Sequence, residues 1–350
     1  MRVIPELYYE RLKKALDDEM ISAPPSVEID LTNICRQACY YCNSAKFRAH
    51  NPDKATTKDY IKLIDSLPKG VRDITYAGGG EPLDNLNANE IINHSLRSGF
   101  QVGIITNGAR LRHLKFNGDY RPNWIGVDID TADTDLYWKI RKGNLPKVIE
   151  SVTEVMEDLK SFGTKMTFKY LITDYNNSLE HLEESVVLAK DMGFQEFFVR
   201  VAYFPEPDHI IQPPGESWGE LENQIREKCE DVGIEYISSF AKQQNFIDVR
   251  DGGLKPVKQC FAPLFLPVFT ADGAVYWCCE HRGDKEYIIG NWIEDQCDYL
   301  LRTDLVPTMK KFIDTYKCAK QCRYFNYNNF ASKIDGGLDG DDAGHTTGFF

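Results

Sequence analysis

Three cysteines, Cys35, Cys39 and Cys42, stand within eight residues of this chain. Thiolates are soft donors, and several on one short loop suit an iron–sulfur cluster or zinc far better than a hard cation. The loop offers three ligands, one short of a closed four-thiolate site. A metal centre held by three protein ligands keeps one position open for chemistry. A second constellation lies toward the C-terminus. Cys260, twelve residues, Gly273, four residues and Cys278 place two thiols across a predicted hairpin turning at Ala271–Gly273. Cys318 and Cys322, spaced by three residues, add two more from a predicted helix. Four thiols of that kind make a complete site, and their spacing fits either an iron–sulfur cluster or zinc.

The elements that must position these thiols are those of a globular protein. The 350 residues are 42% hydrophobic, 27% charged and 12% aromatic, enough to bury a large core. A net charge of -12 counts against a nucleic-acid binder held by phosphate contacts. No apolar run approaches the ~20 residues of a membrane-crossing helix. The segment Met1–Met20 is charged throughout and lacks the apolar centre of a signal peptide. These features predict a cytoplasmic protein, whose cysteines are kept reduced and serve metal ligation rather than disulfides.

Residues 1–24 read as an N-terminal helix, with Leu7, Leu12 and Leu16 on one side and Pro24 and Pro25 ending it. Val27, Ile29 and Leu31 alternate with Ser26, Glu28 and Asp30, the period of a strand that leads into the cysteine loop. Further strands are predicted at 72–77, 101–106, 124–130, 166–173 and 196–203. Helical stripes lie between them, at Ile91, Ile92 and Leu96, at Val148 to Leu159, and at Leu179 to Ala189. A helix at 216–232 follows. Six strand–helix units over 25–233 predict an α/β domain with a parallel sheet, open or curved into a partial barrel. Residues 234–257 read as a connector with one short strand, 258–330 as a smaller domain of short strands and turns, and 331–350 as a Gly- and Asp-rich tail.

Gly78, Gly79 and Gly80, followed by Glu81 and Pro82, end the second predicted strand. Consecutive glycines let a ligand approach the backbone closely. One strand over from the cysteine loop, they form part of a recognisable pair of motifs. The chain resembles the radical S-adenosylmethionine (radical SAM) family, with its Cys-x3-Cys-x2-Cys loop after the first strand and its Gly-Gly-Glu-Pro-like turn after the second. The resemblance covers residues 25–233 and implies a partial (βα)6 TIM-like barrel carrying a 4Fe–4S cluster on Cys35, Cys39 and Cys42. It also implies that the amino and carboxylate groups of S-adenosylmethionine chelate the fourth iron, with Gly78–Pro82 meeting the amino group. Reductive cleavage would then yield a 5′-deoxyadenosyl radical that abstracts a hydrogen atom from substrate.

The same resemblance extends to the turn holding Asn107, to Asp128 near the cofactor ribose or carboxylate, and to Arg141 as partner of the methionyl carboxylate. A planar guanidinium suits a carboxylate bidentately. For Asp128 and Arg141 a surface salt bridge is the competing expectation. Lys169 and Arg200, flanked by apolar residues in mid-strand, are expected to point into the barrel as candidate catalytic or substrate contacts, because an inward charge is costly unless it meets a partner.

Cys260, Cys278, Cys318 and Cys322 resemble the auxiliary 4Fe–4S cluster extensions known as SPASM and twitch domains, in the shorter one-cluster form. The closing pair here has three intervening residues where the family has two. Cys279 is expected to face away from the site, and Cys229 and Cys297 to be ordinary small apolar residues. His281 and His345 are expected at the surface.

The expected activity is hydrogen abstraction from a small polar substrate of sugar, aminocyclitol or nucleotide-sugar type, with the auxiliary cluster accepting an electron and flavodoxin or ferredoxin supplying one. The alternative is modification of a ribosomally made peptide. Peptide maturases of this kind often carry a leader-binding domain of ~80–90 residues, and 34 residues precede Cys35 here, which favours the small-molecule expectation. A non-catalytic iron–sulfur or zinc sensor is the reading from another class, and the Gly78–Pro82 turn is what it leaves unexplained.

Overall fold

A computed structural model describes residues 24–202, 204, 209, 211–215, 217–238, 260–295 and 328. The predicted N-terminal helix, most of the connector, the tail, Cys297, Cys318, Cys322 and His345 lie outside the described residues.

Among the described residues ten strands form one sheet. In chain order they are β1 (Ser26–Asp30), β2 (Asp73–Ala77), β3 (Gln101–Thr106), β4 (Trp124–Asp128), β5 (Lys165–Ile172), β6 (Glu196–Val201), β7 (Glu235–Ser238), β8 (Val268–Phe269), β9 (Ala274–Tyr276) and β10 (Ile288–Asn291). Strands β1 to β7 pair side by side in chain order and all run parallel. This is an α/β parallel sheet in the form of a partial barrel.

The alternation read from the sequence is the alternation of the two sheet faces. On β4, Ile125 and Val127 are fully buried; on β5, so are Met166, Phe168, Tyr170 and Ile172. They pack with Val148 and Val152 of the helix Leu145–Ser161 and Leu182 and Val186 of the helix Leu179–Asp191. Each such aliphatic side chain contributes about 1.5–3 kcal/mol by leaving water. Period 2 puts Asp128, Lys169, Leu171, Phe198 and Arg200 on the opposite, inner face, where they are half-buried rather than sealed. The inner face therefore lines an open interior.

Two connections depart from the sequence expectation. Between β3 and β4 there is only the short 3-10 turn Leu111–His113, not a helix. That turn lies under the helix Leu145–Ser161, whose Ser151 hydroxyl accepts from the Arg112 amide at 3.1 Å, so one long helix covers two strands' worth of sheet. The helix Thr57–Ser66, which the sequence reading did not single out, fills the first crossover. Its N-terminus is a capping box of Thr56 and Asp59, and it buries Tyr60, Leu63 and Ile64. The short strand of the predicted connector is β7, which adds to the parallel sheet beside β6.

The C-terminal hairpin does not form a separate layer. β8 pairs parallel to β1 (Glu28 opposite Val268, Ile29 opposite Phe269), and β9 and β10 follow antiparallel. The hairpin turns at Thr270–Gly273, as its sequence predicts, with the Gly273 amide donating to Thr270 O at 2.9 Å and Gly273 at φ +93°. It continues the barrel sheet past β1, and the loop after β9 brings Arg282 onto that strand's inner face. Ser26, Glu28 and Asp30, the polar half of an apparently amphipathic strand, are all buried.

Candidate active site

The cysteine loop leaves β1 at Leu31 and has little secondary structure of its own. Its shape is imposed from four directions. The amides of Gly80 and Glu81 donate to the carbonyls of Thr32 (3.0 Å) and Ile34 (2.8 Å). Asp84 accepts from the Arg36 amide at 3.0 Å. The amides of Ala38 and Tyr40 donate to Arg141 O and Ile140 O, both at 3.1 Å, at the end of the helix Thr134–Arg141. Asp53 accepts from the Asn33 amide at 2.6 Å and from the Thr32 hydroxyl. The three thiols are half-buried.

Burial pushes the Cys35 thiol up, and pushes Cys39 up to about 11. At Cys39 the Arg141 guanidinium opposes that rise, while Cys42 and Cys35 add to it, so the three thiols lie within electrostatic reach of one another. Arg48 Nη2 approaches Cys42 Sγ at 3.7 Å. Among the described residues no three His, Cys, Asp or Glu side chains converge on a single metal ion. A polynuclear cluster, whose thiolate ligands stand on separate irons, fits this more open set of soft donors, and metal ligation would offset the cost of the buried thiolates.

The glycine turn is built to touch this loop. An ideal Cβ on Gly80 would lie 2.2 Å from Ile34 O and 2.6 Å from Thr32 O, and one on Gly79 would meet Asn33 Oδ1 at 2.5 Å. Real Cβ atoms do not come that close, so glycine is required for the approach. The Gly79 amide donates to Asp30 Oδ2 at 2.9 Å. With the amides of Gly79, Gly80 and Glu81 all committed, the carbonyls of Gly79 and Gly80 accept nothing from the described residues. A turn presenting acceptors matches a cationic amino group rather than an anion.

Glu81 points away from that turn's open side. Its carboxylate accepts from the Thr106 hydroxyl at 2.6 Å, the Asn107 amide at 2.7 Å and the Leu83 amide at 3.1 Å. Burial pushes its pKa up to about 7, against the pull of those three donors. Pro82 opens the short 3-10 turn Pro82–Asp84, which delivers Asp84 to the cysteine loop. Asn107 is held by its backbone to Glu81, and its side chain accepts from Ala109 N at 3.0 Å. Gly108, at φ +76°, leaves room for Val127 Cγ1, which a Cβ would meet at 2.7 Å.

Arg141 and Asp128 are not partners. Arg141 donates from Nη1 to Asp130 Oδ2 at 2.7 Å and from Nε to Gln37 Oε1 at 3.1 Å, with its side chain 5% exposed. It is a buried ion pair, not the surface salt bridge that was the competing expectation. Asp130 also accepts from Tyr41 OH (2.7 Å) and the Leu171 amide (2.9 Å), and holds φ at +66°, a rare conformation for a non-glycine residue. Asp128 instead pairs with Lys169 Nζ at 3.1 Å across β4 and β5. Gly126 makes space for that lysine, since a Cβ there would lie 2.7 Å from Lys169 Cδ. Lys169 therefore faces inward as expected, and Arg200 shares that face.

In the C-terminal set, Cys260 and Cys278 are buried near the open end of the hairpin. Burial pushes the Cys260 thiol up, and Asn328 Nδ2 lies 3.5 Å from its Sγ. Cys318 and Cys322 lie outside the described residues. Cys229 sits in the core, as its apolar reading requires. His281 is not at the surface: its side chain is 11% exposed and its ring stacks on Tyr287 at 3.7 Å, with Asp284 also at 3.7 Å. The loop carrying it lies against β1 and the residue after Cys42, through Arg282 and Glu280, which spacing alone does not reveal.

The sequence reading passed over Asp30, Asp84, Asp130, Gln37 and Arg282. Arg282 forms a fork on Asp30, Nε to Oδ2 at 2.7 Å and Nη2 to Oδ1 at 2.8 Å, and pairs with Glu28. The available signal was weak: two carboxylates alternating on a strand whose inner face proves to be covered.

Comparison with known proteins agrees with this architecture. The chain is 27% identical over 218 residues to the "Probable GTP 3',8-cyclase" of Methanocaldococcus jannaschii, covering 59% of this chain and 68% of that protein. The structure of Streptococcus suis SuiB bound to precursor peptide SuiA superposes with a TM-score of 0.64 at 14% identity, covering 91% of this chain and 76% of that one. Native anSMEcpe with bound AdoMet and Cp18Cys peptide gives a TM-score of 0.52 at 15% identity, over 86% of this chain and 87% of that one. Residues 29–189, which carry both the cysteine loop and the glycine turn, match the model of the Radical SAM superfamily.

Proposed function

We propose that the chain is a radical SAM enzyme that abstracts a hydrogen atom from a peptide substrate. Cys35, Cys39 and Cys42 would hold a 4Fe–4S cluster, and that group would supply the electron for reductive cleavage of S-adenosylmethionine. The protein's own part is binding and orientation. The Gly79 and Gly80 carbonyls receive the methionyl amino group, and the partial barrel keeps water from the reacting atoms. Arg141, already committed to Asp130 and Gln37, fixes the cysteine loop from below, and any contact with the methionyl carboxylate would have to share that guanidinium. Glu81 fixes the glycine turn to β3 and Asn107, rather than meeting the cofactor through its side chain.

The observation that carries the radical reading is the close backbone contact of Gly80 with Thr32 and Ile34, which sets an acceptor-lined turn against a three-thiol loop. The peptide reading is supported by the likeness to SuiB with its precursor peptide over 91% of this chain, which extends past the barrel into the C-terminal strands. It displaces the small-molecule expectation from first place. That second reading is favoured by a different feature, the half-buried Asp128, Lys169 and Arg200 on the inner face, which suit a compact polar substrate.

The auxiliary-cluster assignment to Cys260, Cys278, Cys318 and Cys322 is part of this proposal, as are a flavodoxin- or ferredoxin-type donor, a cytoplasmic location and the division of the chain at 24, 233, 257 and 330. No helix among the described residues is long and apolar enough to cross a membrane. The direct test is anaerobic reconstitution with iron and sulfide, reduction with dithionite, and detection of 5′-deoxyadenosine on adding S-adenosylmethionine. A fully loaded protein that makes none would overturn the radical reading. Deuterium transfer from labelled peptides, against labelled sugars and nucleotides, into 5′-deoxyadenosine distinguishes the two substrate classes.

A further inference from the structure

We infer that Arg282 is a positioning residue for the cofactor-binding turn, so that the hold of Gly79 and Gly80 on S-adenosylmethionine depends on the C-terminal segment 278–283. The identity of the ligand rests on the function proposed above; the mechanical link does not.

Three separate contacts join this segment to the two motifs. Arg282 grips Asp30 with the two-point fork described above, and Asp30 Oδ2 also accepts the Gly79 amide at 2.9 Å. The same guanidinium pairs with Glu28 and donates from Nη1 to Cys279 O at 3.0 Å. Glu280 accepts from Asn43 Nδ2 at 2.8 Å, one residue beyond Cys42. Phe47, also buried, lies between two glycines: an added Cβ would meet its ring at 3.1 Å from Gly79 and at 3.2 Å from Gly283.

Chain distance gives the link its consequence. Arg282 stands 252 residues from Asp30, and it lies four residues after Cys278. The path Cys279 O, Arg282, Asp30, Gly79 N–H is continuous at hydrogen-bond distances. Arg282, Asp30 and Glu28 have side chains 7%, 0% and 3% exposed, so water does not stand in for the guanidinium if it is removed. Two carboxylates on the same face of β1 would then be buried together without their cation. Asp30, the more deeply buried of the two, would lose the two-point hold on its carboxylate, which weakens the acceptor that holds the Gly79 amide. A guanidinium is needed because its planar fork meets both Asp30 oxygens at once, which an ammonium does not.

The test compares Arg282→Met and Arg282→Lys with the wild type at equal iron content. The first readout is amide hydrogen exchange of a fragment covering Gly78–Glu81, with a β4 fragment as internal control. The second is the equilibrium Kd for S-adenosylmethionine, set against the rate of 5′-deoxyadenosine formation at saturating cofactor. Arg282→Met is expected to speed exchange at Gly79 selectively and to weaken cofactor binding about 10-fold or more, the usual effect of removing an outer partner of a ligand-binding group. The saturated cleavage rate should change far less. Arg282→Lys should fall between, with its charge kept and its fork lost.

A folded Arg282→Met protein with wild-type exchange at Gly79 and wild-type Kd overturns the inference. If Arg282→Met does not fold, Arg282→Lys and Asp30→Asn decide instead, and wild-type values in both are equally fatal. If the wild type itself binds no S-adenosylmethionine, the proposed function fails, and hydrogen exchange still decides what Arg282 does.

Discussion

Glu81 and Asn107 are joined across two strands: the Asn107 amide donates to Glu81 Oε2 at 2.7 Å, in a site where the carboxylate is 4% exposed. The acidic residue of the glycine turn is thereby spent on the architecture of the site. Its side chain ties the end of β2 to the end of β3, leaving backbone carbonyls to face the ligand.

This burial makes a prediction about pH. Glu81 has a folded pKa of about 7 against an ordinary value of 4.5. The folded state therefore binds the proton more tightly than the unfolded chain, and stability from this group falls as pH rises between those two values. Glu81→Gln has no proton to lose, so its stability relative to wild type should improve on going from pH 5 to pH 8. The change should be on the order of 2–3 kcal/mol at most. Urea midpoints of both proteins across that range check it.

Arg141 and Asp130 form a buried pair that is costly to break from one side only. Arg141→Met should destabilise the protein by about 3–5 kcal/mol, because it strands the Asp130 carboxylate. The loop ending in Cys42 should loosen as well, since Arg141 also holds Gln37. Denaturant unfolding measures the first effect, and iron bound per chain after reconstitution measures the second.

Gly80→Ala should damage cluster loading out of proportion to its size. Its Cβ would sit 2.2 Å from Ile34 O, which is backbone, and relief requires moving the cysteine loop. Gly99→Ala is the control: φ is +87°, yet nothing lies within 4 Å of its Cβ, so only a backbone cost of about 1 kcal/mol applies. Iron content should drop in Gly80→Ala and hold in Gly99→Ala.

Replacing Cys35, Cys39 and Cys42 together by alanine separates the two proposed centres. About four irons per chain should remain if Cys260, Cys278, Cys318 and Cys322 bind a cluster. Zinc with no residual iron would exclude an auxiliary cluster there.

Lys169→Met should uncouple the reaction. Lys169 pairs with Asp128 on the inner face, and neither touches the cysteine loop among the contacts described. Substrate turnover should fall about 10-fold or more, while 5′-deoxyadenosine continues to form without substrate. Comparing the two products over time gives the ratio directly.

Much of this was legible in the primary structure. Six of the strands of the barrel, β1 to β6, announced themselves by apolar residues at every second position, because the helix-covered face of each is dry. The cysteine spacing and the glycine run marked the two halves of the candidate site, since few other needs bring those residue types together. The missing helix between β3 and β4 was less visible: the covering helix Leu145–Ser161 belongs to a later crossover, and periodicity is blind to which strand a helix covers.

What the chain's order of residues determined, by itself, was the local chemistry: soft thiols on one loop, a turn that only glycine allows, and strands whose faces alternate. What only the tertiary structure decided was the pairing of charges. Glu28 and Asp30 read as the wet face of a strand until β8 lies beside β1 and Arg282 reaches them from 254 and 252 residues away. Arg141 chose Asp130 over Asp128, two residues apart in sequence, because β4 ends between them and the chain turns at Asp130 with φ +66°. Ion pairs depend on where side chains converge in three dimensions, and spacing along the chain carries almost none of that information.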